Sequence, residues 1–441
     1  MSFKFGSFSF LLYPSLSLTL ITIPGFILLS LPQRWLILII LNAVYFFVYF
    51  HRTSTAVLAP YLMEEFSASA ASLGGMSAAY FYPYALSQPL VGYLTDRWGP
   101  RKVVTFSTAI GFLGAFLFGI APTLFLAAMG RGLIGLGAAG VFVPALKALL
   151  FWFGPQAFAQ MNGILLVTGN LAAIASATPF AWTIQQTGWR VSYFFMAGIA
   201  IVLTFLSWIY VRDCPPGQVE AKAGRLTERP TGKIFLLVLK NPFFWTLVAL
   251  FFTYSGSFQT FQGLWGYPFL IDVFRYDKLH ASNFLLLIAI GVIAGGPILS
   301  YLTDKPFSQQ KGPMLSLCIG VQVLIWSAIV FGGKSLGPVS LGILLFAMGA
   351  TLAGTLSILW AIIREVSAPE RLGTVMGLVN PAPFLGVAIF QPATGYLMDR
   401  VGKTGVGFPF EAYQNAFGLC LASLSIAFII SLFLGKRIAS I

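Results

Sequence analysis

Charged residues are scarce in this chain. Only 9% of its 441 residues are Asp, Glu, Lys or Arg, whereas an ordinary soluble domain contains about 25%. Hydrophobic residues make up 58%, and the mean hydropathy is +0.85. So few polar side chains cannot cover the surface of a water-soluble domain of this size. The composition therefore excludes a soluble fold and makes a lipid bilayer the expected environment.

Cysteine and histidine are also rare. The three cysteines, Cys214, Cys318 and Cys420, lie far apart and have neither disulfide nor metal-site spacing. The two histidines are His51 and His280, and no H-E-x-x-H motif is present. A membrane enzyme that uses clusters of histidines or carboxylates is therefore disfavoured. We expect no enzymatic activity, no cofactor and no metal site.

Apolar segments of about 20 residues recur along the chain, and that length crosses a ~30 Å hydrocarbon core as a helix. They predict an all-α membrane protein with twelve core helices, at 35–62, 72–94, 103–120, 123–150, 159–183, 191–211, 242–273, 281–303, 312–332, 337–363, 372–397 and 412–435. Residues 9–31 are apolar too, but a crossing there would invert the charge pattern that follows. Signal-like, interfacial and wrongly chosen start-site interpretations of this segment stay open.

The basic residues indicate membrane topology. With both ends of the core in the cytoplasm, most of the 26 Lys and Arg residues fall on the inside. The six outside are Arg190, Arg275, Lys278, Lys334, Arg400 and Lys403. This bias follows the positive-inside rule, so the net charge of +13 indicates orientation rather than nucleic-acid binding. We expect a multi-pass protein of the cell (inner) membrane.

An internal repeat divides the chain. Pro155, Gly163 and Gly188 recur 214 residues later as Pro369, Gly377 and Gly402. The expected domains are a hydrophobic extension at 1–33, a six-helix bundle at 34–211, a cytoplasmic linker at 212–241, a second six-helix bundle at 242–435 and a tail at 436–441. Repeats of this kind predict a binding site near the bilayer midplane, between the halves.

A motif follows the second apolar segment: Gly92-Tyr-Leu-Thr-Asp96-Arg97-Trp-Gly99-Pro-Arg101-Lys102. It resembles the G-x-L-x-D-R-x-G-R-(K/R) signature of the major facilitator superfamily, and a degenerate second copy contains Asp304. The resemblance covers about 34–435 and implies a transporter with the major facilitator fold. It also implies that these loop residues latch the cytoplasmic side when the protein faces outward. Arg131, which begins Arg-Gly-Leu-Ile-Gly-Leu-Gly, is similar to a second family motif in the fourth helix.

Three basic residues, Arg52, Arg131 and Lys147, fall within the predicted spans, whereas all 13 acidic residues fall in loops or at span ends. An ionised side chain inside a span is energetically unfavourable unless it faces a cavity or a partner. The predicted interior is therefore cationic. An anionic substrate is the natural transient partner for these charges.

Arg52 lies in Tyr49-Phe-His51-Arg52, near the middle of the first span. This segment resembles the first helix of the anion:cation symporters and of the organophosphate:phosphate antiporters, in which an arginine here binds the anionic group of the substrate. The symporters place a second substrate arginine at the position of Arg131. The antiporters require one in the seventh helix, but residues 242–273 contain neither Lys nor Arg. The sequence therefore favours an organic anion over a phosphate ester.

Proton-coupled symporters of the branch that this chain resembles carry acids at two positions where this chain has His51 and Ala138. His51 is a candidate for proton coupling, since histidine titrates near neutral pH. A neutral, hydrogen-bonded His51 is the alternative, and exchange or uniport needs no titrating group. Arg131 can instead serve helix packing through backbone carbonyls, and Lys147 can extend to the cytoplasmic surface.

Other polar and aromatic residues can complete a substrate pocket. With Arg52, Arg131, His51, Tyr49 and Lys147, the candidates are Tyr80, Tyr84, Gln88, Gln259, Gln262, Trp265 and Asn380. Bends are expected at Asn380-Pro381-Ala-Pro383 and at Gly295-Gly296-Pro297.

The function expected from these features is secondary active transport of a small organic anion by alternating access. A carrier of amino acids or short peptides is the first alternative, because Arg52 can equally hold their carboxylate. A multidrug efflux carrier usually has acids in its spans, and a transporter-like sensor usually carries an output domain. The expected partners are an anionic solute and the bilayer, without nucleic acid, and we expect a monomer.

Overall fold

A computed structural model describes residues 19–23, 26–30, 32–215, 232–307, 310–367, 369–405 and 407–438. Two antiparallel strands, β1 (Thr19–Ile23) and β2 (Phe26–Ser30), form a hairpin before the helices begin. The described part of the N-terminal extension is therefore a hairpin and not a helix. Apart from this hairpin and an isolated bridge between Thr404 and Gly407, the regular secondary structure of the described residues is helical.

Seventeen helices follow the hairpin within the described residues. Those before the linker are α1 (Gln33–Thr53), α2 (Thr55–Glu65), α3 (Ala70–Ala78), α4 (Phe81–Ile120), α5 (Leu124–Ala139), α6 (Phe142–Ala175), α7 (Thr178–Thr187) and α8 (Trp189–Tyr210). Those after it are α9 (Gly232–Leu239), α10 (Pro242–Thr260), α11 (Gly266–Phe274), α12 (Lys278–Asp304), α13 (Lys311–Ser327), α14 (Pro338–Val366), α15 (Pro369–Val379), α16 (Pro381–Val401) and α17 (Phe410–Ile438). A π-helical turn, Phe261–Trp265, joins α10 to α11.

These helices make twelve crossings. Nine helical stretches of the described chain are long and apolar enough to span a bilayer, and two of them contain 51 and 52 residues. Each of these two would be about 75 Å long, more than twice the ~30 Å hydrocarbon core. They reverse direction at Gly99 (φ 83°) and Gly154 (φ 75°), so each contributes two crossings. Residues 242–274 supply the remaining crossing.

Several crossings are broken near a proline. The breaks at Ala79–Tyr80, Gly140–Val141 and Asn380 precede Pro83, Pro144 and Pro383 by three or four residues. Proline has no N–H group, and its ring collides with the carbonyl four residues earlier in a helix. The predicted bend at Asn380 is confirmed, whereas α12 continues through Pro297 as one helix.

The repeat seen in the sequence is also present in the backbone. Gly188 (φ 80°, ψ 157°) and Gly402 (φ 86°, ψ 168°) have nearly the same conformation, each at the end of a crossing. Side chains other than glycine rarely adopt this region. Residues 32–215 form one half of six crossings and residues 232–438 contain the other six. We call these the N-terminal and C-terminal halves.

The two halves meet mainly at one end. The end where the chain passes from α8 to α9 is called the link end, and the other the distal end. At the distal end, Thr178 Oγ1 donates to Asn283 Oδ1 (2.7 Å) and Lys403 Nζ to the Ala68 carbonyl (3.4 Å). Asn380 and Gln88 join the halves farther toward the link end (3.4 Å). The halves are therefore closed against each other at the distal end.

Candidate functional site

Arg52 lies at a break in the first crossing. Helix α1 ends at Thr53, whose Oγ1 donates to the Tyr49 carbonyl (3.1 Å), and α2 begins at Thr55. Such side-chain bonds to the preceding turn bend helices. Arg52 is partly exposed, whereas the adjacent His51 and Thr53 are buried. The break therefore places the Arg52 side chain in the space between the two halves.

Side chains of both halves surround Arg52. Its guanidinium lies 5.2 Å from the Tyr49 ring and 5.1 Å from the Phe384 ring, within cation–π range. With the Gln259 amide oxygen facing the guanidinium, Arg52 Nε and Nη2 donate to it at 2.7 and 3.1 Å. The Gln259 amide nitrogen then donates to Gln262 Oε1 (3.2 Å). We call these five residues the Arg52 cluster.

The Arg52 cluster has unused capacity for an anion. A guanidinium carries five N–H donors in a planar fork. Two donate to Gln259, and the other three have no acceptor among the described residues. No described carboxylate forms an ion pair with Arg52, so an amide and two rings surround this charge. A carboxylate, sulfonate or phosphate can therefore bind through paired hydrogen bonds.

Stacked aromatic rings connect Arg52 to Arg131. Phe384 contacts Tyr84 (centroids 4.2 Å apart), and Tyr84 stacks on Tyr80 (6.0 Å). On the far side of Tyr80, the Arg131 guanidinium lies 4.9 Å from the ring. The two arginines are thus on opposite sides of one aromatic stack.

Arg131 and His51 lie inside the N-terminal half and do not join the Arg52 cluster. Arg131 is 0% exposed, and its Nη1 donates to the His51 carbonyl (2.7 Å). The His51 ring packs against Phe47 (4.5 Å) and Tyr193 (5.4 Å). Neither ring nitrogen has a hydrogen-bond partner within the described residues. The bond to a carbonyl supports the packing interpretation of Arg131, and roles of both residues in binding stay predictions.

The remaining candidates are in three places. Lys147 Nζ forms an ion pair with Asp96 (2.7 Å) at the link end, which supports the interpretation that it extends to the surface. Gln88 and Asn380 bond to each other across the halves. Trp265 is fully buried, and its Nε1 donates to Thr394 Oγ1 (3.0 Å). This hydrogen bond links the seventh crossing to the eleventh.

The loop motif forms a second polar group at the link end. The Arg101 backbone N–H donates to Asp213 (2.7 Å), and its guanidinium donates to the Trp208 carbonyl through Nε (3.0 Å) and Nη2 (2.6 Å). A Cβ atom at Gly99 would lie 2.5 Å from the Asp213 carboxylate. Arg97 donates to Tyr93 (3.0 Å). Of the other motif residues, Gly92 is partly exposed and Lys102 exposed, and the side chain of Asp304 lies outside the described part.

Sequence reasoning missed Phe384 and Asp213. Phe384 follows Asn380 by four residues, so the two share a helix face, and this spacing is a usable signal. Asp213 follows Arg101 by 112 residues and has no comparable local signal.

The family model described as the Major Facilitator Superfamily matches residues 41–390. The chain belongs to this superfamily. Members are integral membrane transporters and not enzymes.

Three relatives from this superfamily are similar over most of their length. A probable sulfoacetate transporter of Cupriavidus necator is 23% identical, over 89% of this chain and 94% of the relative. A hexuronate transporter of Bacillus subtilis is 26% identical (88% and 92%). A probable hexose phosphate transport protein of Chlamydia trachomatis is 23% identical (81% and 83%).

A solved structure has the same fold. It is a bacterial homologue of the human lysosomal transporter Spinster, with a TM-score of 0.72 and 17% identity, and the match covers 93% of this chain and 98% of that one. The predicted fold, a major facilitator fold with twelve core helices in two related halves, is confirmed.

Proposed function

We propose that this major facilitator superfamily member is a secondary transporter that moves a small organic anion by alternating access, with Arg52 holding the anionic group. The observation that carries the proposal is the position of Arg52. It contacts Tyr49 of its own half and Phe384 and Gln259 of the other, and three of its N–H groups have no acceptor in the described part of the chain.

The relatives support an anionic solute. Their names specify sulfoacetate, hexuronate and hexose phosphate, which all carry an anionic group on a small polar body. Residues 242–274 of this chain contain no Lys or Arg that could supply a second cation from the seventh crossing. We therefore favour a singly charged carboxylate or sulfonate over a phosphate ester.

Contacts from both halves support alternating access. An anion bound to Arg52 replaces or rearranges Gln259 and Phe384, so binding is sensed by the C-terminal half. We propose residues 34–211 and 242–435 as the moving bundles, with 212–241 as a cytoplasmic linker. In this proposal the link end faces the cytoplasm of a cell-membrane protein that acts as a monomer.

Binding and uptake by the purified protein test the proposal. Thermal stabilisation is measured against glucuronate, sulfoacetate, glucose 6-phosphate, amino acids and dipeptides, and uptake of the stabilising solutes is measured in proteoliposomes. We expect an organic anion to bind and to be taken up, and Arg52→Gln to abolish both.

Two variants serve as controls. Arg52→Lys keeps the charge but loses the planar fork, so we expect it to weaken binding at least about tenfold. Arg400→Gln removes an exposed distal arginine and should change nothing. If Arg52→Gln binds the transported solute as tightly as the wild type, the site assignment is wrong. Binding without any uptake would instead favour a sensor.

A further inference from the structure

A second polar cavity lies in the C-terminal half, at the link end. It has a volume of about 360 Å³, within the ~300–1,000 Å³ range of small-molecule sites. Its walls come from α12, α14 and the first residue of α13. The lining residues are Ser300, Thr303, Lys311, Ser357, Trp360, Ala361, Arg364 and Glu365. None of them belongs to the Arg52 cluster.

Arg364 gives this cavity a positive charge that no described carboxylate pairs with. Lys311 is nearly buried, and its ammonium group is bonded to the Glu365 carboxylate, so these two charges cancel. Arg364 is exposed and has no hydrogen bond or ion pair within the described chain. The neutralised pair leaves Arg364 as the cation that is available to a ligand.

Hydroxyl donors accompany that charge. Ser300 and Ser357 are partly exposed, and their side chains have no hydrogen-bond partner among the described residues. Thr303 donates to the Leu299 carbonyl (2.7 Å), so its hydroxyl oxygen can still accept. Trp360 is held against Phe251, with centroids 4.8 Å apart, and forms a fixed apolar wall. One free cation, two free hydroxyls and an aromatic wall match a small organic anion.

We propose that this cavity is a second, weaker binding site for a soluble organic anion, at the link end of the C-terminal half. The chemical class is a carboxylate or sulfonate with hydroxyl or other polar substituents. That this ligand is the same solute that the protein transports rests on the proposed function. Binding is weaker than at Arg52, because an exposed arginine is well solvated and screened by salt.

The test is a binding measurement that resolves weak sites. Nuclear magnetic resonance saturation transfer is recorded for glucuronate, sulfoacetate and glucose 6-phosphate with the full chain in nanodiscs of zwitterionic lipid. The variants are Arg52→Gln, Arg364→Gln and the double variant. Lys240→Gln is the matched control, since Lys240 is an exposed cation at the same end of the same half but outside the cavity. Melting temperatures check that each variant is folded.

Two components of binding are expected in the wild type. Arg52→Gln should remove the tighter one and leave the weaker, and Arg364→Gln should lower the affinity of the weaker one about tenfold or more, the usual effect of losing a charged hydrogen bond. In the double variant the tighter component should be absent and the weaker one should have the lowered affinity of Arg364→Gln. Lys240→Gln should match the wild type.

Three results would overturn the second site. They are the absence of a weak component for all three anions, a weak component whose affinity is unchanged in Arg364→Gln, and an equal loss of affinity in Lys240→Gln. A fourth arm adds phosphatidylglycerol to the nanodiscs. If Arg364→Gln changes binding of that lipid but of none of the three soluble anions, the ligand of the cavity is a lipid headgroup. Failure of the proposed function is distinguishable, because it appears as unchanged binding in Arg52→Gln.

Discussion

The Asp399 carboxylate accepts the backbone N–H of Ala70 at 2.7 Å, across the boundary between the two halves. It also accepts the N–H of Ala71 at 2.8 Å. Ala70 begins α3, and the first N–H groups of a helix have no acceptor within it. The negative charge of Asp399 also interacts favourably with the positive end of the helix dipole. Opening of the distal end must break both hydrogen bonds.

Asp399→Asn should favour the distal-open state, because it removes the charge and one acceptor oxygen. Spin labels at Ser72→Cys and Arg400→Cys report the distal distance by double electron–electron resonance. We expect a larger population at long distances than in the labelled parent. Glu411→Gln, which neutralises another exposed acid of the C-terminal half, should leave the distribution unchanged. Identical distributions for Asp399→Asn and its parent would show that the bond does not control closure.

Gly395→Ala should prevent the halves from closing fully. A Cβ atom there would lie 2.3 Å from the Ala70 carbonyl oxygen, which is backbone and cannot move aside alone. We expect a longer distal distance and a lower uptake rate. The matched control is Gly377→Ala, because a Cβ atom at Gly377 meets nothing within 4 Å. Normal uptake by Gly395→Ala would mean that the distal contact is not required in the cycle.

Phe384→Leu should weaken solute binding without unfolding the protein. The ring contacts both Arg52 and Tyr84, and a cation–π contact contributes roughly 0.5–2 kcal/mol. We expect the KM for uptake to rise about twofold to thirtyfold, with Phe384→Tyr close to the wild type. The measurement is uptake kinetics in proteoliposomes. An unchanged KM in Phe384→Leu would exclude a positioning role for this ring.

Gly99→Ala should destabilise the link end. Its φ of 83° strains any other residue, by roughly 1–3 kcal/mol, and a methyl group would also meet the Asp213 carboxylate. We expect a lower melting temperature in detergent. Gly163→Ala is the control, since its Cβ position is open. Equal melting temperatures for the two variants would contradict this account of the turn.

His51→Gln should separate coupling from binding. The His51 ring lies apart from the Arg52 cluster, so solute affinity in binding assays should stay within about twofold of the wild type. Any stimulation of uptake by an imposed proton gradient should disappear, because glutamine cannot take up a proton in this range. Stimulation that persists in His51→Gln would exclude the histidine mechanism.

The sequence predicted the fold well because its signals are local or periodic. Apolar length located the crossings, and the repeat containing Gly188 and Gly402 located the two halves. Arg52 was also identifiable, since a charge at that depth in a helix requires a partner. The sequence does not show in which direction each charged side chain extends from its helix. Arg52 and Arg131 both lie in spans, but only the folded structure shows that Arg52 faces Phe384 and Gln259 of the other half while Arg131 bonds to the His51 carbonyl.

Contacts between distant segments were the least predictable part of the site. The place of Lys147 in a span predicts a role in the solute pocket, whereas its ion pair with Asp96 depends on how the fourth crossing ends beside the loop motif. Asp399 and Asp213 have no distinguishing sequence signal, because acids are common near helix ends. Their partners are backbone N–H groups, which every sequence has and no sequence pattern marks.

The Gln259 amide also has a consequence for turnover. Because it already occupies two donors of Arg52, a solute that takes those two N–H groups must displace the amide, whereas the other three donors have no acceptor among the described residues to give up. Part of the free energy of anion binding is then offset by the loss of the amide contacts, so we expect the affinity to be lower than it would be without Gln259. Limited affinity suits a carrier, since a solute bound too tightly would stay bound and stop the transport cycle. When the solute dissociates, the Gln259 amide can bond to Arg52 again.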